Sequence, residues 1–264
     1  MSGAGGWRRA LGVGAGALLL YLVFLLATLP AVWLADGVSR MSRKAVQLQD
    51  PDGSVWRGSG RLVMTKGARE FGQMKWSVDP LWLFAGRLHL NVQLTGGQTQ
   101  GKGAVRVGYR QLALEDFEAA APAELAPVLY SPAALIDPKG QIRLRTGHLE
   151  ASDKGLRGTA ALTWQAAATR VGGANPLGDY RLEVNGQGEN AQLTLATLNG
   201  RLQLNGQGQW QTTTGALRFQ GSAAAAQPDP QLDLLLNMLG PDQGGGRRAL
   251  NATLTLPLTN VLVP

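Results

Sequence analysis

The chain has no cysteine among its 264 residues. Disulfides, thiolate metal sites and cysteine nucleophiles are therefore excluded, and outside a reducing compartment stability must come from packing alone. Histidine is nearly as scarce, with only His89 and His148. Metal centres draw on three or four well-spaced ligands, and no such set is readable. His89 falls on the polar side of an alternating segment and reads as a solvent-exposed strand residue, and His148 follows Gly147 in a turn-like setting. A Ser-His-Asp site assembles in space rather than in sequence, but no Gly-x-Ser-x-Gly elbow supports one. Gly58-Ser59-Gly60 lacks the lysine of a phosphate loop and reads as a bend. Glu115-Asp116 reads as a pair of solvated loop residues, and the sequon Asn251-Ala252-Thr253 lies in an expected strand. The reading is of a non-catalytic protein without cofactor or metal.

A concentrated basic face is also missing. The formal charge is +7, but five of the 25 basic residues and one of the 18 acidic ones lie in the first 44 positions. The rest carries 20 basic against 17 acidic residues, a net of +3, and Arg247-Arg248 is its only adjacent basic pair. Nucleic-acid binding needs a basic stripe with interleaved aromatics, so that class is set aside.

Charge is absent altogether from Ala10 to Leu29, directly after Arg8 and Arg9. Twenty helical residues at ~1.5 Å each just cross a bilayer core of ~30 Å. Trp7 and Trp33 flank the run where indoles favour membrane interfaces, and Pro30 ends the expected helix. A cleaved signal peptide is the rival reading. Signal cores run to ~7–15 residues, and the best cleavage site, after Ala35, places Trp33 where a small residue belongs. Orientation stays open on charge counting: Arg8, Arg9 and the α-amino group on one side face Arg40, Arg43 and Lys44 on the other.

Beyond the run the pattern is mainly β. Leu88, Leu90, Val92 and Leu94 alternate with Arg87, His89, Asn91 and Gln93, which marks a strand with one buried face. Gly101–Arg110 repeats the pattern, with Val105, Val107 and Tyr109 opposite Lys102, Arg106 and Arg110. Ile142 and Leu144, then Ala160, Leu162 and Trp164, continue it. Arg181–Glu189 and Arg201–Gln209 match at six of nine positions, twenty residues apart. That offset fits one up-and-down strand pair, hence a repetitive antiparallel meander. Leu182 and Val184 share a face with Gly186 and Gly188, as do Leu202 and Leu204 with Gly206, Gly208 and Trp210. Asn-Gly at 185–186 and 205–206 also suits a hairpin turn. Continuation to Trp210 favours strands, with glycines that let a sheet bend.

Two stretches depart from the pattern. Glu115–Asp137, rich in Ala, Pro and acidic residues, reads as a connection with short helical pieces that divides the sheet into two halves. Gln231–Leu239 places Leu232, Leu235, Leu236 and Leu239 on one helical side, with Asp229 as N-cap, Pro230 at the first position and Gly240 as stop. A glycine linker, Gly244–Gly246, then leads to a last strand near Ala249–Leu256. The expected organisation is a tail over 1–9, an anchor and interface over 10–34, a linker and first strand over 35–52, and a β domain over 53–264. One or two short helices accompany a curved antiparallel sheet.

Several motifs, in order and spacing, resemble the type II secretion system protein N family. They are Leu29-Pro30-Ala31 with Trp33-Leu34; Gly53 to Gly60 around Trp56; Trp76 to Leu83 with Asp79-Pro80 and Trp82; and Gly86-Arg87-Leu88. Gly140-Gln141-Ile142, Pro176 to Leu182, Leu198 to Trp210 and Leu235 to Gly240 follow. The resemblance implies a bitopic inner-membrane protein of a Gram-negative bacterium, with its N-terminus cytoplasmic and its β domain periplasmic. It implies an accessory subunit of the secretion apparatus, whose partners are the inner-membrane platform subunits and the outer-membrane secretin. It brings no catalytic residue. Trp56, Trp76, Trp82, Trp164 and Trp210 are expected as sheet-face anchors. The curved, glycine-bearing sheet is also similar to the AsmA-like periplasmic proteins, whose apolar grooves carry membrane lipid. In that reading Leu182, Val184, Leu202, Leu204 and Trp210 line a groove; otherwise they pack a sealed core.

Overall fold

The computed structural model describes residues 28–41, 46–65, 70–129, 131–170 and 175–256, with the single positions Tyr21, Phe24 and Leu258. Among them, one antiparallel sheet of 14 strands accounts for most of the chain. Its first strands are β1 (Val46–Gly53), β2 (Arg57–Met64), β3 (Glu70–Val78), β4 (Leu88–Gly96), β5 (Thr99–Gly108) and β6 (Gln111–Pro122). Then come β7 (Lys139–Ser152), β8 (Gly155–Ala168), β9 (Gly178–Gly188), β10 (Asn190–Gly200), β11 (Leu202–Gln211) and β12 (Ala216–Ala225). The last are β13 (Asp242–Gly244) and β14 (Arg247–Thr255). From β1 to β12 each strand pairs with the next in sequence; β14 then lies between β12 and β13.

The expected meander is what forms. Asn185-Gly186 and Asn205-Gly206 lie inside β9 and β11, two strands apart in the sheet, so the twenty-residue repeat is one strand pair. Glu115–Asp137 is a shorter connection than the sequence suggested. Its first eight residues complete β6, which pairs with β7 from Gln111↔Ser152 to Pro122↔Gln141. The sheet thus runs unbroken through this region. Helical pieces do occur after it, at Ala123–Leu125, Ala126–Leu129 and Ser131–Leu135. Tyr109 and Arg110 do not extend β5; they form its tight turn into β6, with Arg110 at φ 52°.

Two short helices flank the sheet. In α1 (Val32–Met41), Leu34 and Ala35 pack with Ala31 onto Leu48, Met74, Trp76 and Val78. The sequence reading took Ala35 onward as linker; the helix forms because this apolar side finds the start of the sheet. Before it, Thr28 N–H donates to Phe24 O, and Pro30 bridges to Ser54 in antiparallel fashion. At the other extreme is α2 (Pro230–Leu239), with Asp229 Oδ1 accepting from Gln231 N–H at 3.1 Å as expected of an N-cap. Leu232 and Leu236 are buried against Tyr180, Leu202 and Ala223. Among the described residues no helix is long and apolar enough to cross a membrane. Trp7, Arg8, Arg9, Ala10 and most of the uncharged run lie outside the described residues.

The sheet is strongly bent. A methyl group on Gly155, at the start of β8, would lie 2.6 Å from Thr212 Oγ1, just past β11. Three strand spacings separate β8 from β11, about 14 Å in a flat sheet. Ala151 of β7, Leu156 of β8 and Ala191 of β10 also share one buried cluster with Leu258. The apolar face is on the inside of the bend.

Candidate functional site

The feature that sets this surface apart is a row of cross-strand neighbours. Gly60, Met74, Leu94, Gly101, Ala119 and Leu144 stand opposite one another on successive strands from β2 to β7. Leu162, Leu182, Leu195, Gly206, Gly221 and Leu250 continue the row from β8 to β14. Every member is apolar or glycine. The adjacent row, one residue along each strand and therefore on the opposite face, is Ser59, Lys75, Gln93, Lys102, Glu118 and Arg145, then Ala161, Glu183, Thr194, Gln207, Gln220 and Asn251. A period of two residues keeps such rows on separate faces, and correct register propagates the separation across the sheet.

The apolar face is covered at its ends and open between them. At the N-terminal end α1 closes over Met74 and Trp76. At the C-terminal end α2 closes over Tyr180, Leu202 and Ala223. Across β5 to β9, Gly101, Ala119, Leu144, Leu162 and Leu182 are only half-buried and belong to neither covered cluster. This stretch forms an apolar floor about five strands wide.

The structure distributes the expected anchor residues unevenly. Trp76 is buried, its Nε1 donating to Ser54 O at 3.1 Å, and Trp56 packs beside it. Trp164 packs against Tyr180 and donates from Nε1 to Lys139 O at 2.8 Å. Leu202 and Leu204 join the same cluster, whereas Val184 and Trp210 join the one with Leu156 and Ala191. Trp82 is not a sheet-face residue. It sits in a 3₁₀ turn, Pro80–Ala85, between β3 and β4. Trp33 is exposed on α1, and Leu29 O accepts from Val55 N–H at 2.9 Å.

Large side chains lie over the interior glycines. A methyl on Gly206 or Gly208 would meet the Phe219 ring at 2.6 and 3.0 Å, one on Gly103 would meet Phe117 at 2.6 Å, and one on Gly58 would meet Trp76 at 2.5 Å. These glycines give the rings room to lie flat on the backbone. Sequence reading placed Gly206 and Gly208 on the apolar face, took Gly58-Ser59-Gly60 for a bend where it lies inside β2, and missed Phe117 and Phe219, because cross-strand register decides which ring meets which glycine.

The polar face holds ion pairs rather than a converging site. Its open depression of about 520 Å³ over β5–β9 is lined by Lys102, Glu118, Arg145, Arg181 and Glu183 among others. These pair within the face: Lys102 with Glu118 at 3.8 Å, Arg145 with Glu118 at 3.7 Å and Arg181 with Glu183 at 2.7 Å. His148 lies inside β7, not in a turn, with Nδ1 3.5 Å from Glu115 and Nε2 3.8 Å from Glu150. Glu115 also pairs with Arg106. His89 is half-buried, set edge-on to Trp82 with ring centroids 6.0 Å apart. No cluster of three or more metal-ligating side chains occurs among the described residues.

A family model described as "Type II secretion system (T2SS), protein N" matches residues 44–251, which include β1 to β13 and most of β14. No curated protein and no solved structure matches the chain.

Proposed function

We propose that this chain, which belongs to the type II secretion system protein N family, is a membrane-tethered subunit whose bent sheet contacts other secretion components in the periplasm. The family is an accessory one of type II secretion and not a known enzyme family, and membership implies interaction with other components of that system. The observation that carries the reading is the extent of the match, which takes in almost the whole meander.

The tether in this proposal is the uncharged run Ala10–Leu29, set in the bacterial inner membrane with the N-terminus cytoplasmic. Its support is in the sequence: its length, its flanking Trp7 and Trp33, and Arg8 and Arg9 before it. The partners proposed are the inner-membrane platform subunits and the outer-membrane secretin. In-cell cross-linking of the full chain followed by mass spectrometry tests this. Platform subunits or secretin among the cross-linked products are expected, and recovery of no secretion component would overturn the assignment.

A second reading is favoured by one observation, the uncovered apolar floor over β5–β9. A partly buried apolar row that includes Leu144, Leu162 and Leu182 suits the acyl chain of a membrane lipid, as in an AsmA-like lipid-binding module. It predicts phospholipid co-purifying with the full chain, seen by native mass spectrometry, and its loss in Leu162→Asp or Leu182→Asp variants that keep a native circular-dichroism spectrum. Only bare protein in the unaltered chain would sink this reading.

A further inference from the structure

The 3₁₀ turn Pro80–Ala85 is apolar in sequence, capped at both ends and exposed from Pro80 to Leu83. Asp79 Oδ1 accepts from Leu81 N–H at 3.0 Å, and Gly86, at φ 66°, closes the turn by donating to Leu83 O at 2.9 Å. So fixed, Leu81 is 72% exposed and Trp82 and Leu83 more than a third exposed. Large apolar side chains held out of the core on an ordered turn, rather than folded under it, mark a contact surface.

Its position identifies the contact. Leu29 O bonds to Val55 N–H and Ala31 N–H to Gly53 O, at the end of the β1–β2 hairpin. Val78 N–H donates to Trp56 O, which puts the end of β3, and the turn that follows it, at the same end of the sheet. Leu88↔Val107 puts the Tyr109–Arg110 turn there as well, and Gly108 lies against Arg87. Tyr109 is 91% exposed, and Trp33 opens α1 at this end at 67%. The described chain thus meets the end of the uncharged run at the same rim that displays Trp33, Leu81, Trp82, Leu83 and Tyr109. Tryptophan and tyrosine are the residues that favour the headgroup layer of a bilayer.

We infer that this rim is a membrane-contact surface, with the Leu81–Leu83 turn and Tyr109 seated in the interfacial layer of the leaflet at which Ala10–Leu29 ends. The inference rests on the anchor reading given above and adds a second, peripheral attachment that fixes the sheet's tilt on the membrane. Charge does not drive it. The exposed Arg57, Arg87 and Arg110 at this end, with Arg40 further along α1, are set against Asp36, Asp52 and Asp79, which leaves one net positive charge, so the contact is chiefly apolar.

The absence of cysteine makes the test direct. Full-length chains carrying single Leu81→Cys, Tyr109→Cys or Leu135→Cys changes are labelled with an environment-sensitive dye and reconstituted into phosphatidylcholine vesicles. Leu135 is a control, 83% exposed but at the opposite end of the sheet. Twelve residues of β6 put it about 40 Å away at ~3.3 Å per residue. Labels at 81 and 109 are expected to be blue-shifted, and quenched several-fold more by spin-labelled lipid than by aqueous iodide, with the reverse at 135. The pattern should persist when phosphatidylglycerol is added or salt is raised. If the chain resists carbonate extraction but all three labels behave as aqueous, the rim contact is overturned and the anchor stands. Labels at 81 and 109 shielded from both quenchers would mean that protein covers the rim, which also overturns it. A chain that washes off the vesicles removes the anchor reading and the contact together.

Discussion

Tyr180 shows how one side chain holds two strands together. Its phenol is buried, and its hydroxyl donates to Leu202 O at 3.0 Å, from β9 to β11 past the strand between them. Burial, with the neighbouring Asp179, pushes its pKa well above the ordinary tyrosine value. The sign follows from linkage. The folded state keeps the proton while the unfolded state loses it above about pH 10, so stability is full below that pH and declines as pH rises beyond it. Tyr180→Phe is expected to cost about 1–3 kcal/mol near neutral pH, because it strips a buried carbonyl of its partner. In urea melts its loss of stability between pH 9 and 11 should be smaller than that of the unaltered chain; parallel declines would refute the assignment. Phe219 offers a packing test at the same scale. Its ring rests on Gly208 at a separation that a methyl would close to 3.0 Å. Gly208→Ala is expected to destabilise by about 1–3 kcal/mol through overpacking. A good part of that should be recovered when Phe219→Leu is added, as a double-mutant cycle in denaturant would measure.

Elements form here where they find a surface to cover. The leucine spacing, cap and stop of α2 were all legible, since helix periodicity and capping are local. Leu232 is fully buried while Leu234, two residues on, is 62% exposed. Leu232→Ala is expected to cost about 2–5 kcal/mol, and Leu234→Lys close to nothing, by thermal or chemical denaturation. Equal effects would mean that the helix does not pack as described. The other helix was not legible. Val32–Met41 has a glycine in its interior and follows Ala31, whose side chain cannot cap it, and only the apolar start of the sheet gives Leu34 and Ala35 a reason to fold down. The acidic, alanine-rich end of β6 was likewise misread as a connection. Such residues favour strands poorly in isolation, but ten cross-strand pairings with β7 over 111–121 and the pairs of Glu118 with Lys102 and Arg145 hold them in the ladder.

At the scale of the whole molecule, almost every strand contact is with a sequence neighbour. The sheet is thus close to one-dimensional, stabilised by nearest-neighbour interfaces much as repeat proteins are. The buried cluster under α1 and the one under α2 share no residue. Trp76→Ala is therefore expected to speed amide hydrogen exchange in β1–β4 while leaving protection in β9–β12 nearly unchanged; uniform loss across the sheet would show a single cooperative core instead. The same geometry leaves the central floor without a layer of its own. An apolar stretch that neither helix covers is a property of this arrangement and not of any single strand.

By itself the sequence determined the alternation of apolar and polar residues, the strand-pair repeat, the capped helix α2, the uncharged run and the family. All of these are written in local period and spacing, which a single chain segment expresses without its neighbours. Only the tertiary structure decided that Leu94, Ala119, Leu144, Leu162 and Leu182 fall into one row, that Phe219 lies on Gly208, and that Trp82 leaves the strands for the turn Pro80–Ala85, against His89. Register sums the turn lengths and bulges of every preceding strand. A shift of one residue anywhere along that sum would send each side chain to the opposite face, so these placements belong to the assembled sheet alone.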